Sequence, residues 1–321
     1  PVLDGRYVAA GEVITDQAAA DALPTIEEGY KYKATNAAVV HVNKELAHGY
    51  NALPEQAKVN IGQNPVTPWN AESVLPTIDP TAYVHPQAVV IGASEIGQNV
   101  MISPQAAVRG DEGMPLHVGD GSNIQDGVVL HALETVNDEG EEIEGRTYLV
   151  DGKKYAVYVG DRVSLAHQAH VHGPAMVGDD TFVGMQSFIF MADVGKNCVL
   201  EPWATVVGVT VPDGRYVAAG EVITDQAAAD ALPTIEEGYK YKATNAAVVH
   251  VNEELAEGYG EIDVSAVPGA SPTLEVAHET ATSEEMTAQG TPGFGALAAV
   301  GAIGTIAVAA LIKKGKGKKE E

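Results

Sequence analysis

Cysteine is almost missing from this chain: Cys198 is the single one among 321 residues. One thiol excludes an intrachain disulfide framework and any metal site built from clustered cysteines. Its surroundings, "VGKNCVLEP", are those of a small buried hydrophobe. Basic residues are scarce too, with 19 Lys and Arg against 44 Asp and Glu and a net charge of −25. Residues 313–321 hold five of the lysines, so the remainder carries 14 basic and 42 acidic residues. A nucleic-acid surface needs clustered Lys and Arg, and this balance argues against nucleic acid as a partner. Acidity of this kind suits solubility in a salty or exposed setting without naming a substrate. The opening also lacks a Met and a charged-then-apolar leader, so Pro1 reads as the start of a processed chain or of a fragment. What is abundant is hydrophobic residues, at 45%, enough for a sizeable core in one large domain or two modest ones.

Residues 4–50, "DGRYVAAGEVITDQ…HVNKELAHGY", recur at 213–259 with differences only at Lys44/Glu253 and His48/Glu257. Near-identity at a separation of that size is a duplicated domain rather than a solenoid period of about 20–50 residues. On this reading residues 1–50 are the C-terminal remnant of a preceding tandem copy, and 51–259 form one complete unit. An artefact of sequence assembly would leave the same signature.

Within that unit a shorter period appears. Branched aliphatics recur every sixth position through Val84, Val90, Ile96, Ile102 and Val108, then Val159, Leu165, Val171, Val177, Val183 and Ile189. Helices repeat near 3.6 and ordinary strands at two, so a strict six fits neither. Hexads imply a mainly β fold, a left-handed parallel β-helix with three short strands per coil. The hexads stop after Pro212. "TNAAVVHVNEELAEGY" then has helical spacing, with Thr244 or Asn245 as the cap and Gly258 near the end, and predicts a C-terminal α-helix along the prism.

Residues 260–290 are acidic, bear Ser, Thr and Pro, and lack periodicity, as a linker does. Residues 291–321 contain a charge-free run from Phe294 to Ile312 followed by "KKGKGKKEE". At ~1.5 Å rise per residue such a run crosses a hydrocarbon core of about 30 Å, predicting a hydrophobic anchor helix. Its lysines place the end in the cytoplasm and everything before it outside the cell. Pro292, Gly293 and Phe294 resemble the archaeal PGF-type sorting tail, which implies cleavage there and a lipid anchor on the cell surface.

"SLAHQAHVHGPAMVG", residues 164–178, packs three histidines together. His167 and His172 are five residues apart, roughly 16 Å of extended chain around a corner, too far to share one ion within one subunit. His131 precedes His172 by 41 residues, and residues 134–156 break the hexad rhythm. Without those residues one coil separates the two, so His131 and His172 stack on successive coils. His167 is then offered to a neighbour's pair, which needs a ring of prisms, and three is the natural closure. Three histidines with an open position suit a catalytic zinc. His170 immediately precedes the inward Val171 and reads as a solvated surface residue.

The stretches "NPVTPWN" (64–70), "RGDEGMPLHVGDGSNIQDGVVLHALETVN" (109–137) and "YAVYVGDRVSLAHQAHVHGPAMVGDDTFVGMQSF" (155–188) resemble the gamma-class carbonic anhydrases, especially the archaeal prototype subgroup. The resemblance covers roughly 64–259. It implies reversible hydration of CO2 to bicarbonate by a metal-bound hydroxide, with His131, His167 and His172 as ligands of Zn2+, or of Fe2+ or Co2+, in a homotrimer or an intrachain trimer of tandem domains. It further implies that Glu112 stands beside the metal-bound water, Gln125 and Asn123 are its polar neighbours, Asn252 is a substrate-pocket amide and Glu134 is the proton shuttle. Arg109, Asp111 and Asp126 match the charged set at the subunit interface. His250, where relatives commonly carry Tyr, Trp203 and His170 depart from the family pattern. Two rival uses of the same prism are a CoA-dependent acyltransferase, which leaves three coil-matched histidines unexplained, and a non-catalytic scaffold, against which Glu112, Gln125 and Glu134 argue.

Overall fold

The computed structural model describes residues 1–30, 32–54 and 59–261. Hexad residues drive the architecture. Val90, Val108, Leu130, Val171, Ile189 and Val206 point inward with no exposed surface, and each belongs to a strand of one parallel sheet. This sheet 1 runs, in spatial order, Ile61–Gly62, Val89–Gly92, Ala107–Gly110, Val129–His131, His170–His172, Phe188–Phe190, Thr205–Val207 and Val222–Ile223. Sheet 2, from Thr77–Ile78 to Thr210–Val211, and sheet 3, from Tyr83–Val84 to Tyr216–Val217, have seven strands each. The chain visits the three sheets in rotation, making a parallel β-solenoid of about eight turns around a single aliphatic core. Truncating a core residue such as the fully buried Leu165 to Ala is expected to destabilise the domain by about 2–5 kcal/mol, measurable as a lower denaturation midpoint.

The solenoid continues past Pro212, contrary to the expectation that the hexads end there. Tyr216–Val217 pairs with Val199–Leu200, and Val222–Ile223 pairs with Thr205–Val206. Val211, Val217 and Ile223 keep the six-residue spacing, and Pro212 falls at a corner, where no ladder N–H is needed. Of the rhythm-breaking residues 134–156, Ala156 is already back in the core, and the stretch before it includes an antiparallel hairpin, Tyr148–Val150 with Lys153–Tyr155. Its turn is Asp151-Gly152, both at positive φ, a pairing suited to the two-residue turns that match strand twist.

Among the described residues four helices accompany the sheets: α1 (Gln17–Asp21), α2 (Thr35–Ala52), α3 (Gln226–Asp230) and α4 (Thr244–Gly260). The short α3 lies against the last strands of sheets 1 and 2 and buries Ala229 into the core, as does Leu232 just beyond its end. The helix α4 packs on sheet 3. Its cap is Ala243, with no side-chain cap bond, rather than Thr244 or Asn245, and it runs through Gly258. Asn245 is instead a tertiary anchor, its amide donating to the Arg162 carbonyl at 2.7 Å.

Residues 4–50 refold the same local structure as 213–259. Tyr7 stacks on Tyr30 as Tyr216 stacks on Tyr239, and Asp16 caps α1 as Asp225 caps α3. Arg6 and Arg215 each donate to the carbonyl of the equivalent leucine, Leu23 and Leu232. The linker from 262 to 290 and the terminal stretch 291–321, with Pro292, Gly293 and Phe294, lie outside the described residues. Among the described residues no helix is long and apolar enough to cross a membrane.

Candidate metal centre

The ladder of sheet 1 sets the first half of the site. His131 and His172 are direct register partners on adjacent strands, and their ring centroids are 4.3 Å apart. Both project outward because the neighbouring Leu130 and Val171 point into the core, as period-two alternation demands. The His172 Nδ1 lies 2.9 Å from the Gly173 carbonyl, an acceptor that fixes Nδ1 as the N–H and leaves the Nε2 lone pair free. The His131 Nδ1 faces the Glu112 carboxylate at 3.3 Å, with the same consequence. Burial and the adjacent His131 push the His172 imidazole down to about 4, so it is neutral at physiological pH, as a ligand must be.

Glu112 is buried, and burial raises its pKa against the lowering effect of His131. Gly113 holds its loop in place: at φ +105°, a Cβ there would strike the Thr135 side chain. Thr135 N–H donates to the Glu112 carbonyl at 3.0 Å, which brings Glu134 alongside. The Glu134 side chain is 17% exposed, more enclosed than a solvent-facing loop position, with the Arg146 guanidinium 3.7 Å away. Its Oε2 is buried without a hydrogen-bond partner. Arg146, which also donates to the Glu134 carbonyl, carries no signal in the sequence because it lies inside the insertion.

The second half sits at the corner following sheet 3. The His167 Nδ1 is 3.1 Å from Asp126, and its side chain is 56% exposed. Nearby on the preceding coil, Gln125 donates to Asn123, which donates to Ser164, both at 2.9 Å, with Asn123 fully buried. His167 is thus at one end of its coil's passage across sheet 1 and His172 at the other. Among the described residues no three His, Cys, Asp or Glu side chains converge into a metal-sized cluster. Asp126, expected at the subunit interface, lies within ion-pair distance of His167 of the same chain. Asp126→Asn is expected to weaken metal affinity about 10–100-fold, read by competition with a chelating dye, and an unchanged affinity would dismiss an orienting role.

Asp111 is wholly buried, bound by Arg109 at 3.1 Å and by the Tyr50 hydroxyl at 2.5 Å. Asn252 packs on α4 over sheet 3, a different sheet from the histidine pair, and its amide donates to the Val248 carbonyl. His170 corrects an expectation: it is half-buried, not solvated, lying 5.6 Å from the His131 ring and 5.3 Å from the Phe188 ring. Phe188, its ladder partner on one side, and the nearby His131 ring screen it from water, with Val129 the ladder partner on the other side, and its pKa is lowered by burial. His250 is exposed on α4, and Trp203 is 61% exposed with its indole donating to Gln186. Cys198 is fully buried, its thiol pushed up to about 11 by burial.

No family model matches the chain. It is 65% identical over 202 residues to the carbonic anhydrase of Methanosarcina thermophila, a match covering 63% of this chain and 82% of that enzyme. The carboxysome assembly protein CcmM of a Nostoc species is 42% identical over 195 residues, 61% of this chain and 33% of that protein. Among solved structures, a hexapeptide transferase family protein from Anaplasma phagocytophilum aligns at a TM-score of 0.45 and 25% identity, covering 58% of this chain and 93% of that one. Identity of 65% across 82% of the Methanosarcina enzyme establishes that this chain belongs to the gamma-class carbonic anhydrase family.

Proposed function

We propose that the chain hydrates CO2 reversibly at a three-histidine metal site completed between two copies of the domain. Its family membership supports CO2 hydration itself. The observation that carries the site is the His131–His172 register pair, both rings held through Nδ1 with Nε2 free. His167 has the same arrangement through Asp126 and is exposed at a corner. The donor set fits a divalent cation: His131 and His172 of one copy and His167 of another would hold it, and imidazole suits Zn2+, Fe2+ or Co2+. When bound, the cation supplies the Lewis acidity that lets water ionise near neutral pH.

The chain's own residues manage the protons. Glu112, buried beside His131, accepts a hydrogen bond or holds a proton at its carboxylate. Glu134, whose Oε2 accepts no hydrogen bond and faces the Arg146 guanidinium at 3.7 Å, is the relay that passes the proton outward, and Arg146 positions it. Gln125 and Asn123 present amides on the His167 side. Left-handed winding and closure of three domains about one axis, as a homotrimer or from tandem copies of which residues 1–50 are a remnant, complete this reading. So does a cell-surface location through the tail at 291–321. Metal analysis and CO2 hydration kinetics on anaerobically purified full-length chain test the reading. About one metal per site with rapid hydration is expected, whereas no metal and no rate above background would favour a scaffold.

A further inference from the structure

The insertion that carries Glu134 and Arg146 is fastened on a face the metal centre does not use, the outer side of sheet 2. Alternation along its strands turns residues such as Val118 and Val177 into the core and leaves Glu95, His117, Tyr158, Met176 and Asp193 outward. These five are successive register partners and form one column across five coils. At a strand separation of about 4.8 Å its two carboxylates, Glu95 and Asp193, stand roughly 19 Å apart. Between them lies an aromatic floor, with the His117 ring stacked on Tyr158 at 4.7 Å.

The hairpin lies over this column. A two-stranded hairpin is marginal by itself in water, so its position depends on what it is tied to. Tyr148 and Tyr155 are cross-strand partners and leave the same face of the hairpin, yet they reach different carboxylates. Tyr155, 8% exposed, packs against His117 and Tyr158 and donates to Glu95 at 3.2 Å. Lys153 pairs with Glu95 as well. The Tyr148 hydroxyl lies beside the Asp193 carboxylate, whose buried Oδ1 takes no bond from any other donor among the described residues. Burial, and then this carboxylate, raise the pKa of the Tyr148 phenol.

The fastening runs on to the relay. Arg146 stands two residues before Tyr148, donates to the Glu134 carbonyl at 3.2 Å and faces the Glu134 carboxylate. Thr147 donates to Glu142 at 3.0 Å, and Lys154 pairs with the same carboxylate. The next residue, Ile143, donates its N–H to the Thr135 carbonyl at 2.9 Å. We propose that Glu95 and Asp193, through the phenols of Tyr155 and Tyr148, form a two-ended clamp that positions Arg146 and Glu134 for proton export. All four are positioning residues, and the inference rests on the reading of Glu134 as the relay.

The metal-loaded full chain carrying Tyr148→Phe and Tyr155→Phe together tests it. Phenylalanine keeps both rings and removes only the hydroxyls, so the coil packing survives. Proton export follows product formation and enters kcat, whereas kcat/KM reports the steps up to bicarbonate. In dilute buffer kcat should fall about fivefold to tenfold while kcat/KM stays within about twofold, and added imidazole, a small proton carrier, should restore kcat. Amide exchange across 146–155 should accelerate at least about tenfold, with Leu130 and Val171 still protected. Equal losses in kcat and kcat/KM, a loss that imidazole leaves in place, or unaltered exchange would overturn the clamp. Glu134→Ala, measured alongside, separates the two readings. If it loses kcat and the double variant does not, the relay stands and the clamp is overturned; if it keeps full kcat, the relay reading falls and the positioning role with it.

Discussion

His172→Ala is expected to abolish metal binding and to lower CO2 hydration by at least about 10³-fold, since metal Lewis acidity contributes several kcal/mol to such barriers. His131→Ala should do the same. The prism itself should survive either change. Both side chains stand on the outer side of sheet 1, whereas the inward Leu130 and Val171 beside them carry the packing. Metal analysis with stopped-flow kinetics makes the check, and circular dichroism confirms the fold. A His172→Ala chain that kept full metal and rate would show that the register pair is not the centre.

The second large effect distinguishes a shared centre from an internal one. His167→Ala should be as inactive as His172→Ala, although the two residues lie at opposite corners of one coil. When the two inactive variants are mixed in equal amounts, unfolded and refolded together, about a quarter of the sites should regain activity. A site needs an intact His167 from one domain and an intact pair from the next, and each condition is met half the time around a ring of heterologous contacts. A mixture as inactive as its components would mean that no site is assembled between domains.

Much of this was legible in the sequence because a solenoid turns spacing into position. The hexads located the core, and subtracting residues 134–156 put His131 over His172, the register found. What escaped reading has physical causes. Val217 and Ile223 continue the rhythm past Pro212, which reads as a stop in sequence although a corner tolerates proline. His170 looked solvated from its place before an inward valine. Its burial depends on Phe188 one coil away and on ring contacts that spacing does not describe. Asn245 resembled a cap because caps are local, whereas its actual partner, the Arg162 carbonyl, is 83 residues distant. The Nδ1 acceptors of the three histidines, a carbonyl and two carboxylates, could be named only once the corners were folded.

The short helix α3, lying across the last strands of sheets 1 and 2 with Ala229 sunk into the core and Leu232 following it there, has a consequence beyond packing. Every rung of a parallel ladder is a template for the next, and a terminal rung left open would recruit the first rung of another molecule. Closed by this plug, the stack is a bounded particle instead of the seed of a fibre.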